Sequence, residues 1–159
     1  YTEIARILNR TPAAVRQLAR RARNHVRERR PRFDADPSVR KEATRRFLAA
    51  ALGGDLDALL ATLAPDVTLW TDGGGVVRAA LQVISGRDKV GRLLTSLVAK
   101  GDFSGLTVSE VEVNGDPGAV FREDDDVYGV MVLELASDGE HVQNIYGVVN
   151  PDKLGDVEI

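Results

Sequence analysis

Two short helical patterns open the chain. Ile4, Ala5, Ile7 and Leu8 fall at helical spacing, and Val15, Leu18, Ala22 and Val26 recur every three or four positions. Asn9 between them tolerates the left-handed backbone that ends a helix sharply. Thr11-Pro12 then supplies an N-cap and a first-turn proline, so a second helix is predicted to start at Pro12. Residues 1–30 thus read as a helix, a tight turn and a helix. Residues 31–36, bounded by Pro31 and Pro37, read as a short stiff linker.

Residues 37–159 follow a different pattern. Asp36-Pro37 repeats the cap-plus-proline signal and predicts a helix over 37–52, with Val39, Ala43, Phe47, Leu48 and Ala51 on its buried side. Gly53-Gly54 ends it. Asp55 caps a short helix bearing Leu56, Leu59, Leu60 and Leu63, stopped near Pro65. Alternation over 66–72 predicts a strand with Val67 and Leu69 on one face and Trp70 and Asp72 on the other. After the Gly73-Gly74-Gly75 turn, 76–84 reads as another strand. Gly86-Arg87-Asp88 opens a helix with Val90, Leu93, Leu94, Leu97 and Val98 inward. Strands are expected near 106–114, 118–123, 127–136 and 140–149, with hairpin signals at Asn114-Gly115 and Asp138-Gly139. The fold class is α+β: a helix-turn-helix, then a curved antiparallel sheet of about six strands on about three helices.

Charge sharpens the division. The net charge of −3 hides ten arginines against two glutamates in residues 1–33, a charge of +8, and a charge of −11 in residues 34–159. A dense cationic block beside an acidic remainder points to a nucleic-acid-binding end. With no cysteine, disulfides, thiolate catalysis and cysteine-bound zinc are excluded, and two histidines give little basis for a metal site. No metal or cofactor is expected. No apolar run approaches the roughly 18–20 residues of a membrane span. The polar, basic start carries no signal-peptide core, so the cytoplasm is the expected compartment. Tyr1-Thr2-Glu3-Ile4 already reads as a helical turn without an initiator Met, which suggests a fragment of a longer protein.

A cationic second helix after a tight turn suits a reader of the DNA major groove. Thr11 and Ala13 open that helix. Ala13, Ala14, Arg16, Gln17 and Arg20 are placed to reach base edges, since Arg bonds guanine bidentately and Gln pairs with adenine. Arg21 and Arg23, with Arg10, are better placed for phosphates. A solvated basic hairpin that binds RNA or an acidic protein has the same charge and spacing.

The run Tyr1–Arg23 resembles region four of extracytoplasmic-function sigma factors. That resemblance implies recognition of the −35 promoter element and contact with the β flap of RNA polymerase core. The family usually has Gly where this sequence has Asn9. Region two of that family, which opens the −10 element, is not in this sequence, and the resemblance implies it as a partner within the full-length protein. The element order of 37–149 resembles the SnoaL-like, nuclear-transport-factor-like cone. Asp72-Gly73-Gly74-Gly75 and Asn150-Pro151-Asp152-Lys153-Leu154 match a motif pair of sigma factors of the sigma J type, which carry such a cone as a fused extension. The family commonly has Lys where Val76 stands. The resemblance implies that residues 37–159 regulate transcription initiation in place of a separate anti-sigma factor. The tail after Pro151 would dock on the sigma core or on the basic helix.

A cone can also hold a small molecule or an active site in its mouth. Trp70, Asp72, Tyr128, His141 and Tyr146, with Asn144, are the candidate pocket residues. An Asp in an apolar site can act as base, a Tyr can donate to an oxyanion and a His can carry protons. Strand parity opposes convergence: His141 is expected to share a face with Gln143 and Ile145, opposite Asn144 and Tyr146. No catalytic residue is therefore assigned and the chain is not expected to be an enzyme. A tethered polyketide-cyclase-like enzyme or ligand sensor, a dimeric repressor with a sensing domain, and plain turn chemistry for both motifs remain alternatives.

Overall fold

The computed structural model describes residues 1–29 and 36–155, with the side chains of 23–29 excepted. The linker expected over 31–36, the Arg23 side chain and the last residues of the tail lie outside the described residues, apart from Asp36. The chain divides into two compact units, 1–34 and 35–159.

The first unit holds α1 (Thr2–Ile7) and α2 (Pro12–Arg29). The break between them forms for the reasons legible in its residues. Asn9 takes φ 49°, the left-handed conformation. The Arg10 amide then bonds back to the Ala5 carbonyl at 2.9 Å and the Asn9 amide to that of Arg6 at 3.3 Å, which satisfies carbonyls the helix end would leave open. Thr11 Oγ1 accepts the Ala14 amide at 3.2 Å and caps α2. Ala5 and Val15 are buried.

The second unit begins with α3 (Pro37–Leu52) and α4 (Leu56–Thr62), capped by Asp36 and Asp55 through the Ser38 and Ala58 amides. Strand β1 (Leu63–Asp72), the two-residue strand β2 (Ile84–Ser85) and α5 (Arg87–Ala99) follow. A meander of β3 (Thr107–Val113), β4 (Asp116–Glu123), β5 (Asp126–Leu135) and β6 (Val142–Val148) leads to the short α6 (Pro151–Leu154). The described strands form one sheet in the order β2-β1-β6-β5-β4-β3. The sheet is mixed, because β6 returns beside β1 and runs parallel to it, whereas all the other pairs are antiparallel. One face packs on α3, α4 and α5 around Phe47, Leu59, Val67, Val90, Leu133 and Ile145, all 0–1% exposed.

Four expectations change. Residues 76–83 form no strand. Thr71 Oγ1 accepts the Ala80 amide at 2.9 Å and donates to the Ala80 carbonyl at 3.1 Å, so a side chain occupies the backbone groups that a ladder would need. Val39 is 42% exposed and lies off the buried side of α3. Pro65 lies within β1, and Leu63 belongs to that strand rather than to α4. The parity of β6 breaks at a bulge where Leu135 pairs Val142 and Glu134 pairs Asn144. Val142 and Ile145 therefore both face the core.

Phe47→Ala, at the centre of this core, is expected to cost about 3–5 kcal/mol in urea denaturation. Val39→Ala is expected to stay within about 0.5 kcal/mol of the unchanged chain.

Candidate functional site

Arg16, Gln17, Arg20 and Arg21 are exposed on α2, as are Ala13 and the capping residue Thr11. A buried Val15 beside them fixes α2 on α1, so cationic and amide side chains project from the start of a rigid helix. That is the arrangement groove reading needs.

The two glycine- and proline-containing motifs meet at one end of the sheet. Parallel pairing sets Asp72 opposite Val148, so the segments that leave β1 and β6 emerge side by side. The Val149 amide bonds to the Asp72 carbonyl at 2.8 Å. Asp72 Oδ1 accepts the Gly74 amide at 2.9 Å, and Lys153 Nζ donates to Asp72 Oδ2 at 2.6 Å. Asn150 is buried; its Oδ1 accepts the Asp152 amide at 3.1 Å and starts α6, whose Leu154 is buried as well. Gly74, at φ +61°, lies so close that an added Cβ would sit 2.4 Å from Asn150 Cγ. Only glycine fits there. The result is a clasp: a glycine loop on one strand end closed by a capped helix turn on the next. The Lys153 ammonium and then the Gly74 amide hold the Asp72 carboxyl below its usual range.

The candidate pocket residues do not converge. Trp70 and Tyr146 are register partners on β1 and β6, on the sheet face away from the helices, and are 48% and 40% exposed. Asn144 shares that face. Tyr128 sits at a bulge, where Phe121 pairs Gly129 and Arg122 pairs Val127, and packs against the core. His141 lies in the β5–β6 turn, where its Nδ1 is 2.7 Å from Asp138 Oδ2. Asp138 also accepts the His141 and Glu140 amides, and these hold its carboxyl down to about 2. Asp72 belongs to the clasp. Between helices and sheet, Phe47, Leu52, Leu94, Phe103, Phe121 and Met131 leave a crevice of about 10 Å³.

One polar residue escaped the sequence reading. Glu134 on β5 accepts Asn144 Nδ2 at 2.8 Å and the Tyr146 hydroxyl at 3.1 Å, both on Oε2. Thr68 Oγ1 donates to Asn144 Oδ1 at 2.5 Å and accepts Trp70 Nε1 at 3.1 Å. Burial first, and then the Glu134 charge, push the Tyr146 hydroxyl up. The cross-strand partnership of Glu134 depends on the β6 bulge, which no local pattern announces.

No family model matches the chain. It is 33% identical over 162 residues to ECF RNA polymerase sigma factor SigJ of Mycobacterium tuberculosis, a match covering 97% of this chain and 52% of that protein. The crystal structure of M. tuberculosis SigJ superposes with a TM-score of 0.62 at 31% identity, over 97% of this chain and 54% of that one. The chain is a relative of extracytoplasmic-function sigma factors of the sigma J type. The probable ECF sigma factor SigI of M. tuberculosis is 28% identical, over 97% of this chain and 50% of SigI. This sigma-factor relative therefore spans about half the length of the curated relatives it matches. A SnoaL-like protein of unknown function from Burkholderia thailandensis shares the fold, with a TM-score of 0.54 at 14% identity over 71% of this chain and 96% of that one. The larger unit has the SnoaL-like cone fold. Among the described residues, no helix is long and apolar enough to cross a membrane.

Because Asp72 titrates below its unfolded value, the clasp favours the folded chain above the ordinary carboxylate range. That contribution disappears as pH falls through the depressed folded value. Lys153→Met is expected to move the Asp72 titration up toward 3.8, read by carboxyl-carbon NMR. An unmoved titration would show that the ion pair does not form in solution.

Proposed function

We propose that this chain is the promoter-recognition and regulatory part of an extracytoplasmic-function sigma factor. Its first unit reads the −35 element and contacts the β flap of RNA polymerase core. The observation that carries this reading is the capped break between α1 and α2, with Arg16, Gln17 and Arg20 exposed at the start of α2. In this reading Arg16, Gln17 and Arg20 touch bases, Thr11 and Ala13 line the approach, and Arg21 and Arg23 neutralise phosphates. The protein works in the cytoplasm, where RNA polymerase and a sigma region two would meet it.

The cone regulates initiation and performs no catalysis. Acid–base chemistry needs its groups within hydrogen-bond reach of one substrate. Asp72, Tyr128 and His141 instead serve a clasp, a core and a turn. The clasp formed by residues 72–75 and 150–154 is the regulatory element in this proposal, because it joins the two motifs shared with the sigma J type. Its exposed Lys153 and the glycine loop are available to a neighbouring sigma region or to polymerase.

Binding-site selection from random duplexes by the full chain tests the reading. Enrichment of one sequence is expected. Arg16→Ala with Arg20→Ala should abolish it, because each bidentate arginine–guanine pair supplies about 1–3 kcal/mol of discrimination. Arg21→Ala should weaken all duplexes alike and lower the salt slope by about one. Enrichment of the same sequence by the double variant would overturn the base-reading assignment.

A further inference from the structure

The face of the sheet away from the helices carries a hydrogen-bond chain that runs in one direction. The Trp70 indole donates to Thr68, Thr68 donates to Asn144, and Asn144 donates to Glu134. Tyr146 donates to the same Glu134 oxygen, Oε2. Every polar group is thereby oriented, and Glu134 is the common acceptor. Its other oxygen, Oε1, accepts no hydrogen bond among the described residues. The two aromatic side chains that flank the network stay 48% and 40% exposed, and they stand on adjacent strands in register. Exposed Trp and Tyr, each immobilised by a hydrogen bond, have already given up the freedom that binding would otherwise cost.

A carboxylate with one open oxygen, carried on β5 one strand away from the in-register Trp70–Tyr146 pair and held by the Tyr146 hydroxyl, is complementary to a cation that is both planar and hydrogen-bonding. We infer that Trp70, Tyr146 and Glu134 form a surface subsite for the guanidinium of an arginine side chain presented by a protein partner. The guanidinium stacks on an aromatic ring and pairs with Oε1 in a charge-assisted hydrogen bond. A lysine ammonium is a compact, strongly hydrated charge with no planar face, so it gains less from the same walls. A nucleobase could stack on Trp70, but its phosphates would meet a sequence that carries −11 over residues 34–159. Charge and shape therefore both favour a cationic protein side chain.

Trp70 is the only tryptophan, so its indole N–H gives a single, assigned peak in a proton–nitrogen NMR spectrum. The full chain is titrated at constant ionic strength with N-acetyl-arginine amide, its lysine and citrulline counterparts, and a short oligothymidine. A saturable shift of the indole peak with the arginine compound is expected, at least threefold tighter than with lysine or citrulline. Glu134→Gln is expected to weaken it at least threefold while the rest of the spectrum stays dispersed. Tyr146→Leu, which removes one wall and leaves the carboxylate, should do the same and stands in if Glu134→Gln unfolds. No saturable shift, equal shifts with lysine or citrulline, a shift by oligothymidine alone, or unchanged affinity in a folded variant would each overturn the subsite.

Discussion

The parallel pairing of β1 with β6 is the constraint on which the larger unit depends. Among the described strands it is the one departure from antiparallel order, and three separate features follow from its register. On the helix side it sets Leu69 beside Ile145, both nearly inaccessible to water, at the centre of the core. On the opposite side it sets Thr68 beside Asn144 and Trp70 beside Tyr146. At its end it sets Asp72 opposite Val148 and releases the two motif segments side by side. A slip of one residue would exchange the core face for the outer face and separate the motifs.

The forces in the clasp are unequal. The Asp72–Lys153 pair is exposed, and exposed ion pairs contribute little to stability. The burial of Asn150 and Leu154 and the close approach of Gly74 to Asn150 determine the geometry instead. The ion pair then responds to its surroundings without the fold depending on it. The charge along the sequence is divided as well, at +8 over residues 1–33 and −11 over residues 34–159.

What could be read in the sequence was local. Asn9, Thr11-Pro12, Asp36-Pro37 and Asp55 announced helix ends because each satisfies an open backbone group within a few residues of itself. Asn114-Gly115 announced a hairpin because both residues take the left-handed conformation the turn demands. The cone fold and the sigma-factor resemblance came from element order and short motifs, and the similarity to SigJ supports them. The parts that were missed were set by distant partners. Residues 76–83 look like a strand until Thr71 takes the Ala80 backbone groups. Tyr128 turns into the core and Glu134 meets Asn144 only because of bulges, and a two-residue alternation cannot register an extra residue. The two motifs were visible singly, but their union was not, since 81 positions separate Asp72 from Lys153.

Proton–proton NMR cross-peaks in the full chain measure that union most directly. A strong cross-peak between the Gly74 α-protons and the Asn150 side-chain amide, alongside those linking β1 to β6, is the predicted result. Strand cross-peaks at full strength without any between Gly74 and Asn150 would contradict it, because the motifs would then leave the sheet as two independent turns.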